Sequence, residues 1–121
     1  LSGPGRMNVV TDAMAAVGMP PGQYRLGNFD VAVDEERAQL PDGTLAGSIV
    51  TLDSAVVNTQ TYTGCSQAEA IATVAELPAR LLRLADRKGA IADGYDADIV
   101  LLDAAQQVVM TVVAGEIVYQ K

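Results

Sequence analysis

The stretch NVVTDAMAAVGMP, Asn8 to Pro20, decides how the rest of the chain is read. A short apolar segment, Asn8–Thr11, reads as a buried strand and stops at a carboxylate, Asp12. Ala13–Val17 follows as a helical turn, and Gly18, Pro20, Pro21 and Gly22 break the chain. Two readings of Asp12 stand side by side. Aspartate is a favoured N-cap, so it can end the strand by capping the turn that follows. A carboxylate at a strand exit can equally point into an active site.

Beyond the break the period is two. Tyr24 and Leu26, the pair Gly27-Asn28, then Phe29, Val31 and Val33 predict a hairpin, because Gly-Asn supplies the turn geometry that two-residue connections require. The acidic turn Asp34-Glu35-Glu36 leads to a third strand around Arg37–Leu40, closed by Pro41-Asp42-Gly43. From Ser48 the period becomes helical: Ile49, Leu52, Val56 and Thr59 share a face, and Gly64 is placed to end that helix. Ser66 with Glu69 forms a capping-box pattern for a second helix through Ala75. Pro78 opens a third, which carries Leu81, Leu82 and Leu84. ADIVLLD (97–103), Val108–Val113 and Ile117–Tyr119 read as strands, the last two joined through Ala114-Gly115-Glu116.

Composition removes whole classes of function. The chain has 121 residues, half of them hydrophobic, with a mean hydropathy of +0.21. This is enough for a real core and too apolar for disorder. No apolar run approaches the ~20 residues that span a bilayer. With a net charge of −7 and no basic stripe, nucleic acid is not an expected partner. One cysteine, Cys65, precludes an internal disulfide and suits a reducing cytoplasm. The chain contains no histidine. A His- or Cys-rich zinc site, or a Ser-His-Asp or Cys-His device, therefore cannot be built from these residues alone.

One strand ahead of the helices cannot make a parallel sheet, and a complete (β/α)8 barrel needs ~250 residues. The opening Leu1-Ser-Gly-Pro-Gly5 also reads as an interior segment of a longer polypeptide. The expectation is the end of something larger.

VVTDAM (9–14), LPDGTLAGSIVTLDSAVVN (40–58) and PARLLRLADRKGAIADGYDADIVLLD (78–103) carry a family likeness. In order and over almost the whole chain, they resemble the N-acetylglucosamine-6-phosphate deacetylases of the amidohydrolase superfamily. The closing GAIADGYDADIVLLD is shared with dihydroorotases and hydantoinases. VTDAM, the β-insert and DGTLAGS together are more specific. Where family members commonly place a polar residue before the proline that is Pro78, this chain has Leu77.

The resemblance implies the C-terminal portion of an α/β protein. Residues 1–88 would hold the last strand, β-hairpin insert and terminal helices of a (β/α)8 TIM barrel. Residues 89–121 would supply the C-terminal strands of a small composite β-sandwich. It implies hydrolysis of N-acetylglucosamine 6-phosphate to glucosamine 6-phosphate and acetate in amino-sugar catabolism. A divalent metal, zinc or similar, would be held by Glu and His ligands upstream of this chain, with Asp12 the one residue here that could touch it.

In that family the aspartate at the position of Asp12 takes a proton from metal-bound water and passes it to the departing amine. Such a role suits an amide, whose carbonyl is a poor electrophile and whose amine is a poor leaving group. Leu45, Ala46 and Gly47 would bring backbone and apolar contacts to the N-acetyl sugar. The bland reading of that segment is a turn feeding a helix capped by Ser48. A cytoplasmic homo-oligomer, as a dimer, is expected, and the 121 residues alone are expected to be inactive.

Other polar groups read as structural. Asp96 and Asp98 near Gly94 lack the remaining ligand spacing of a calcium loop and read as turn residues. Asp34-Glu35-Glu36 reads as a solvated turn, and Arg80, Arg83, Arg87 and Lys88 as dipole-compensating surface charge. Cys65 reads as a buried or half-buried small residue. Two competing functions remain open: the C-terminal part of another cyclic amidohydrolase, or a stand-alone, non-catalytic α+β assembly module.

Overall fold

A computed structural model describes residues 4–121; the opening Leu1–Gly3 lies outside them. The protein is α/β with two small antiparallel sheets, and it divides into two compact units. One is Val10–Ala55, and the other joins the residues before Val10 to Val56–Lys121.

In the unit Val10–Ala55, strands β1 (Gly22–Leu26), β2 (Phe29–Val33) and β3 (Ala38–Gln39) form a sheet in that order. Leu26 pairs with Phe29 and Tyr24 with Val31, so the hairpin turns at Gly27-Asn28 as the sequence predicts. Of that pair Gly27 alone has positive φ, at 59°, the pattern of a II′ turn. Period two then sorts the side chains. Val31 and Val33 face inward and are buried, while Ala32 between them is exposed. They pack with Met14, Ala16, Ala38 and Ala46 into one cluster, against which Tyr24, Leu40 and Ile49 lie.

The segment that opened the reading departs from expectation. Asn8–Thr11 is extended but joins no sheet, and Val10 is 78% exposed rather than buried. A strand is held by ladders to its neighbours, and among the described residues this one has only isolated pairings. One is the Val9 N–H donating to the Thr73 carbonyl, at 3.1 Å. Ala13–Val17 makes the expected turn and does not extend into a helix. It makes turns closed by Val17 N–H to Met14 O and Met19 N–H to Ala16 O. Two such bonds do not propagate a helix whose nucleus is costly and whose continuation meets Gly18 and Pro20.

Helix α1 (Leu52–Thr63) begins four residues beyond Ser48. Its first turn is closed by the Ala55 N–H on the Thr51 carbonyl at 2.9 Å. Gly64, at φ 71°, ends it with an N–H bond to Gln60 O.

In the unit containing Val56–Lys121, the capping box is present as predicted. Ser66 Oγ accepts from the Glu69 N–H, and the Glu69 carboxylate accepts from the Ser66 N–H at the head of α2 (Gln67–Ala72). The Ser66 hydroxyl, donating to Glu69 Oε2 at 2.7 Å, and then the Ser66 N–H hold the Glu69 carboxyl below its ordinary pKa. The helix stops at Ala72 rather than Ala75 because Thr73–Ala75 tighten into a turn. Helix α3 (Glu76–Leu81) opens two residues before Pro78. Pro78 still lies in the first turn, where a missing N–H costs nothing. Cys65 is free and half-buried.

Strands β4 (Ile99–Leu102), β5 (Val108–Val113) and β6 (Glu116–Gln120) complete the second sheet. Ala114 and Gly115, both at positive φ (51° and 86°), form the tight turn between the last two. The Ala114 N–H donates to Asp98 Oδ1 at 2.8 Å, and the Gly115 N–H to Ala97 O at 3.0 Å. The other Asp98 oxygen accepts from the Lys88 ammonium. Lys88 also reaches Asp96 at 2.9 Å, which Arg87 meets at 3.2 Å. These aspartates are therefore paired structural groups, and the basic residues Arg87 and Lys88 answer acids of their own unit. Arg80 likewise pairs with Glu76 one turn earlier in α3.

Candidate functional site

All four residues singled out from the sequence lie in the unit Val10–Ala55. Asp12 is exposed and takes a left-handed backbone, φ 48°. Aspartate tolerates that region better than most residues, though at a cost. No helix follows for it to cap, and the Met14 N–H nearby is committed to Ser48 O at 2.9 Å. Its carboxylate has no hydrogen-bond or ion-pair partner among the described residues.

What holds Asp12 is its backbone. The Ser48 N–H donates to the Asp12 carbonyl at 2.8 Å, and with the Met14–Ser48 bond this makes a parallel bridge centred on Ala13 and Ser48. Ser48 Oγ meanwhile accepts the Val50 N–H at 2.9 Å. Gly47 sits directly beside the bridge at φ 86°. A Cβ on it would stand 3.1 Å from Asp12 O and 3.5 Å from Met14 Cβ. The fold thus brings Asp12 and the LAG segment together through main chain.

The three residues of that segment face differently. Leu45 is 68% exposed. It pairs by a bridge with Gln39. Ala46 is buried in the core cluster, with its N–H spent on Ala38 O, so its side chain is not presented to a ligand. Leu45 and Gly47 line an open cavity of about 590 Å³, together with Glu35, Arg37, Ser48 and Thr51. Asp34 holds the turn at its rim by accepting the N–H groups of Glu36 and Arg37, each at 2.8 Å. These bonds, that of Glu36 foremost, keep its carboxyl below the ordinary range.

The turn Asp34–Glu36 is exposed as expected, yet Glu35 and Glu36 also border the cavity. Sequence reasoning missed the bridging role of Ser48 and the cavity position of Glu35 and Arg37. The first is a main-chain contact between distant segments, which no local pattern announces.

The donor set does not fit a complete metal centre. No group of three His, Cys, Asp or Glu is close enough to hold an ion among the described residues. With no histidine in the chain, Asp12 could be at most one ligand of a site built elsewhere. No described helix is long and apolar enough to cross a membrane.

Comparison with known proteins gives this geometry a setting. The model of the amidohydrolase family matches residues 54–119. Over 117 residues, 97% of this chain, it is 42% identical to an N-acetylglucosamine-6-phosphate deacetylase of Lysinibacillus sphaericus, and it spans 30% of that relative's length. The crystal structure of N-acetylglucosamine-6-phosphate deacetylase from Thermotoga maritima superimposes with a TM-score of 0.90 at 38% identity. The match takes in 99% of this chain and 33% of that one. A mutant of the Mycobacterium smegmatis enzyme, solved in complex with N-acetyl-D-glucosamine-6-phosphate, superimposes at 0.84 with 35% identity, over 95% of this chain and 31% of that one. With more than half of its residues inside the family model, this chain belongs to the amidohydrolase family.

Proposed function

We propose that these residues form part of an enzyme that hydrolyses the acetamide of N-acetylglucosamine 6-phosphate, releasing acetate and glucosamine 6-phosphate. Asp12 is its general base and acid. The carboxylate accepts a proton from the attacking water as the new carbon–oxygen bond forms. It returns that proton to the nitrogen as the carbon–nitrogen bond breaks. Leu45 and Gly47, with the backbone of Ala46, form part of the wall for the N-acetyl sugar.

The observation that carries this reading is the juxtaposition of Asp12 with Gly47. It occurs in a chain that superimposes on a deacetylase at a TM-score of 0.90. In the same reading Asn8–Thr11 is the last strand of a (β/α)8 barrel. Residues 1–88 belong to that barrel and 89–121 to a composite β-sandwich. A divalent ion, zinc or similar, belongs to the intact polypeptide, with its ligands other than Asp12 outside these 121 residues.

The reading also takes the protein as a cytoplasmic homodimer. Val100, Leu101, Ile117 and Val118, all exposed on β4 and β6, are apolar surface suited to cover by further polypeptide.

The test is an assay of the intact polypeptide for acetate and free amine, with N-acetylglucosamine 6-phosphate and dihydroorotate offered separately. Turnover of the sugar phosphate is expected. Turnover of dihydroorotate alone would transfer the chain to another amidohydrolase chemistry.

A further inference from the structure

We infer that Gly47 is a positioning residue for Asp12: its missing side chain sets where the catalytic carboxylate's backbone can stand. The inference rests on the reading of Asp12 as general base and extends it. Three observations converge. Asp12 occupies a left-handed backbone, φ 48°, that a non-glycine residue holds only when its surroundings insist. The two bonds of Ser48 to Asp12 O and Met14 N supply that insistence. Gly47 stands where a methyl group would press on the Asp12 carbonyl itself, at 3.1 Å.

At that separation the neighbour must yield by a few tenths of an ångström, and the yielding atom belongs to Asp12. The Cα carrying the carboxylate moves with it. Proton transfer is sensitive to such displacement, since a misplacement of 1 Å can cost about 10²-fold in rate. Substrate wall and acid–base group are in this way set by one contact. Gly43 provides the matched comparison. It has the same left-handed φ, 85°, in the same unit, but open space where a Cβ would go.

The experiment measures kcat and KM on the intact polypeptide carrying Gly47→Ala and Gly43→Ala, each alone and combined with Asp12→Asn. Gly47→Ala should lower kcat about tenfold. Gly43→Ala should leave kcat within about twofold. In the Asp12→Asn background Gly47→Ala should add less than about twofold, because its effect passes through the carboxylate already removed. An equal fold loss from Gly47→Ala in both backgrounds overturns the inference and leaves the base assignment intact. Near-normal kcat for Asp12→Asn alone sinks the base assignment, and the inference with it. Should Gly47→Ala not fold, Ala13→Gly replaces it in the same cycle. It loosens the bridged segment without adding an atom, and the same dependence on Asp12 is required.

Discussion

The two units carry different kinds of information. The family model matches residues 54–119, almost all of it in the unit that contains the capping box, the second sheet and the ion pairs of Arg87 and Lys88. Asp12, Gly47 and the cavity lie in Val10–Ala55, ahead of the matched stretch but for two residues. The first unit is rich in local side-chain chemistry: caps, tight turns and charges that meet near their own place in sequence. The second has local turns too, at Gly27-Asn28 and Asp34, but the exposed carboxylate of Asp12 is held there by main-chain bonds to a distant segment. Family likeness at the level of the superfamily thus gathers where no proposed chemistry sits.

The sharpest way to break this contrast is to change Asp12. In the intact polypeptide, Asp12→Asn should lower kcat by ~10²-fold or more, the usual loss on removing a positioned general base. The thermal midpoint should change little, because the backbone bridge survives and no helix cap is lost. A variant with normal turnover and a lowered midpoint would place Asp12 among the structural residues. Gly89→Ala is the mirror experiment in the other unit. A Cβ there would lie 2.8 Å from Ala79 Cβ and 3.0 Å from Ala75 O, so overpacking should destabilise by about 1–3 kcal/mol. Catalysis by the remaining folded fraction should stay near normal; a calorimetric scan beside an active-site-normalised assay separates the two.

Ser66→Ala sharpens the comparison more gently. It removes the side-chain acceptor of the capping box, and a loss of about 1 kcal/mol in denaturant unfolding is expected, with kcat untouched.

The smallest effect is electrostatic. Lys88 first, then the Ala114 N–H, lower the Asp98 pKa below its ordinary 3.8. A carboxyl that is more acidic when folded supports the fold fully above its unfolded value, and that support fades as pH falls through the folded value. Lys88 is shifted upward from 10.5, chiefly by Asp98 and then Asp96, so its own contribution fades only as pH rises beyond that value. Thermal midpoints should therefore fall less between pH 5 and about pH 2 in Asp98→Asn than in the unaltered protein. Because the pairs are exposed, salt should narrow the gap. Parallel profiles would show that this cluster contributes nothing.

Whether a feature is decided within a few residues or by a distant segment also explains what the sequence could disclose. The hairpin, the capping box and the last two strands were legible because each is decided within a few residues: Gly27-Asn28, Ser66 with Glu69, Ala114-Gly115. Helix starts are less sharply marked: α1 begins four residues beyond Ser48, the cap that the pattern suggests, and α3 two residues before Pro78. Val10 is exposed because an apolar run is buried only where neighbours exist to cover it. Asp12 was legible as a residue type at a strand exit, while its left-handed backbone and its tie to Ser48 were not. Both depend on a segment far along the chain, and neither leaves a periodic trace.

The turn at Ala114-Gly115 has a consequence in time rather than in energy. Hairpin tips ordinarily surrender their amide protons to solvent first, since their N–H groups face water. Here both tip amides donate backwards, one to the Asp98 carboxylate and one to the Ala97 carbonyl, at the entrance to β4. The tip can open only by releasing the lead-in to the sheet's other edge. Its protons should therefore leave with the slow exchange of the sheet, so that the two ends of β4–β6 breathe as one.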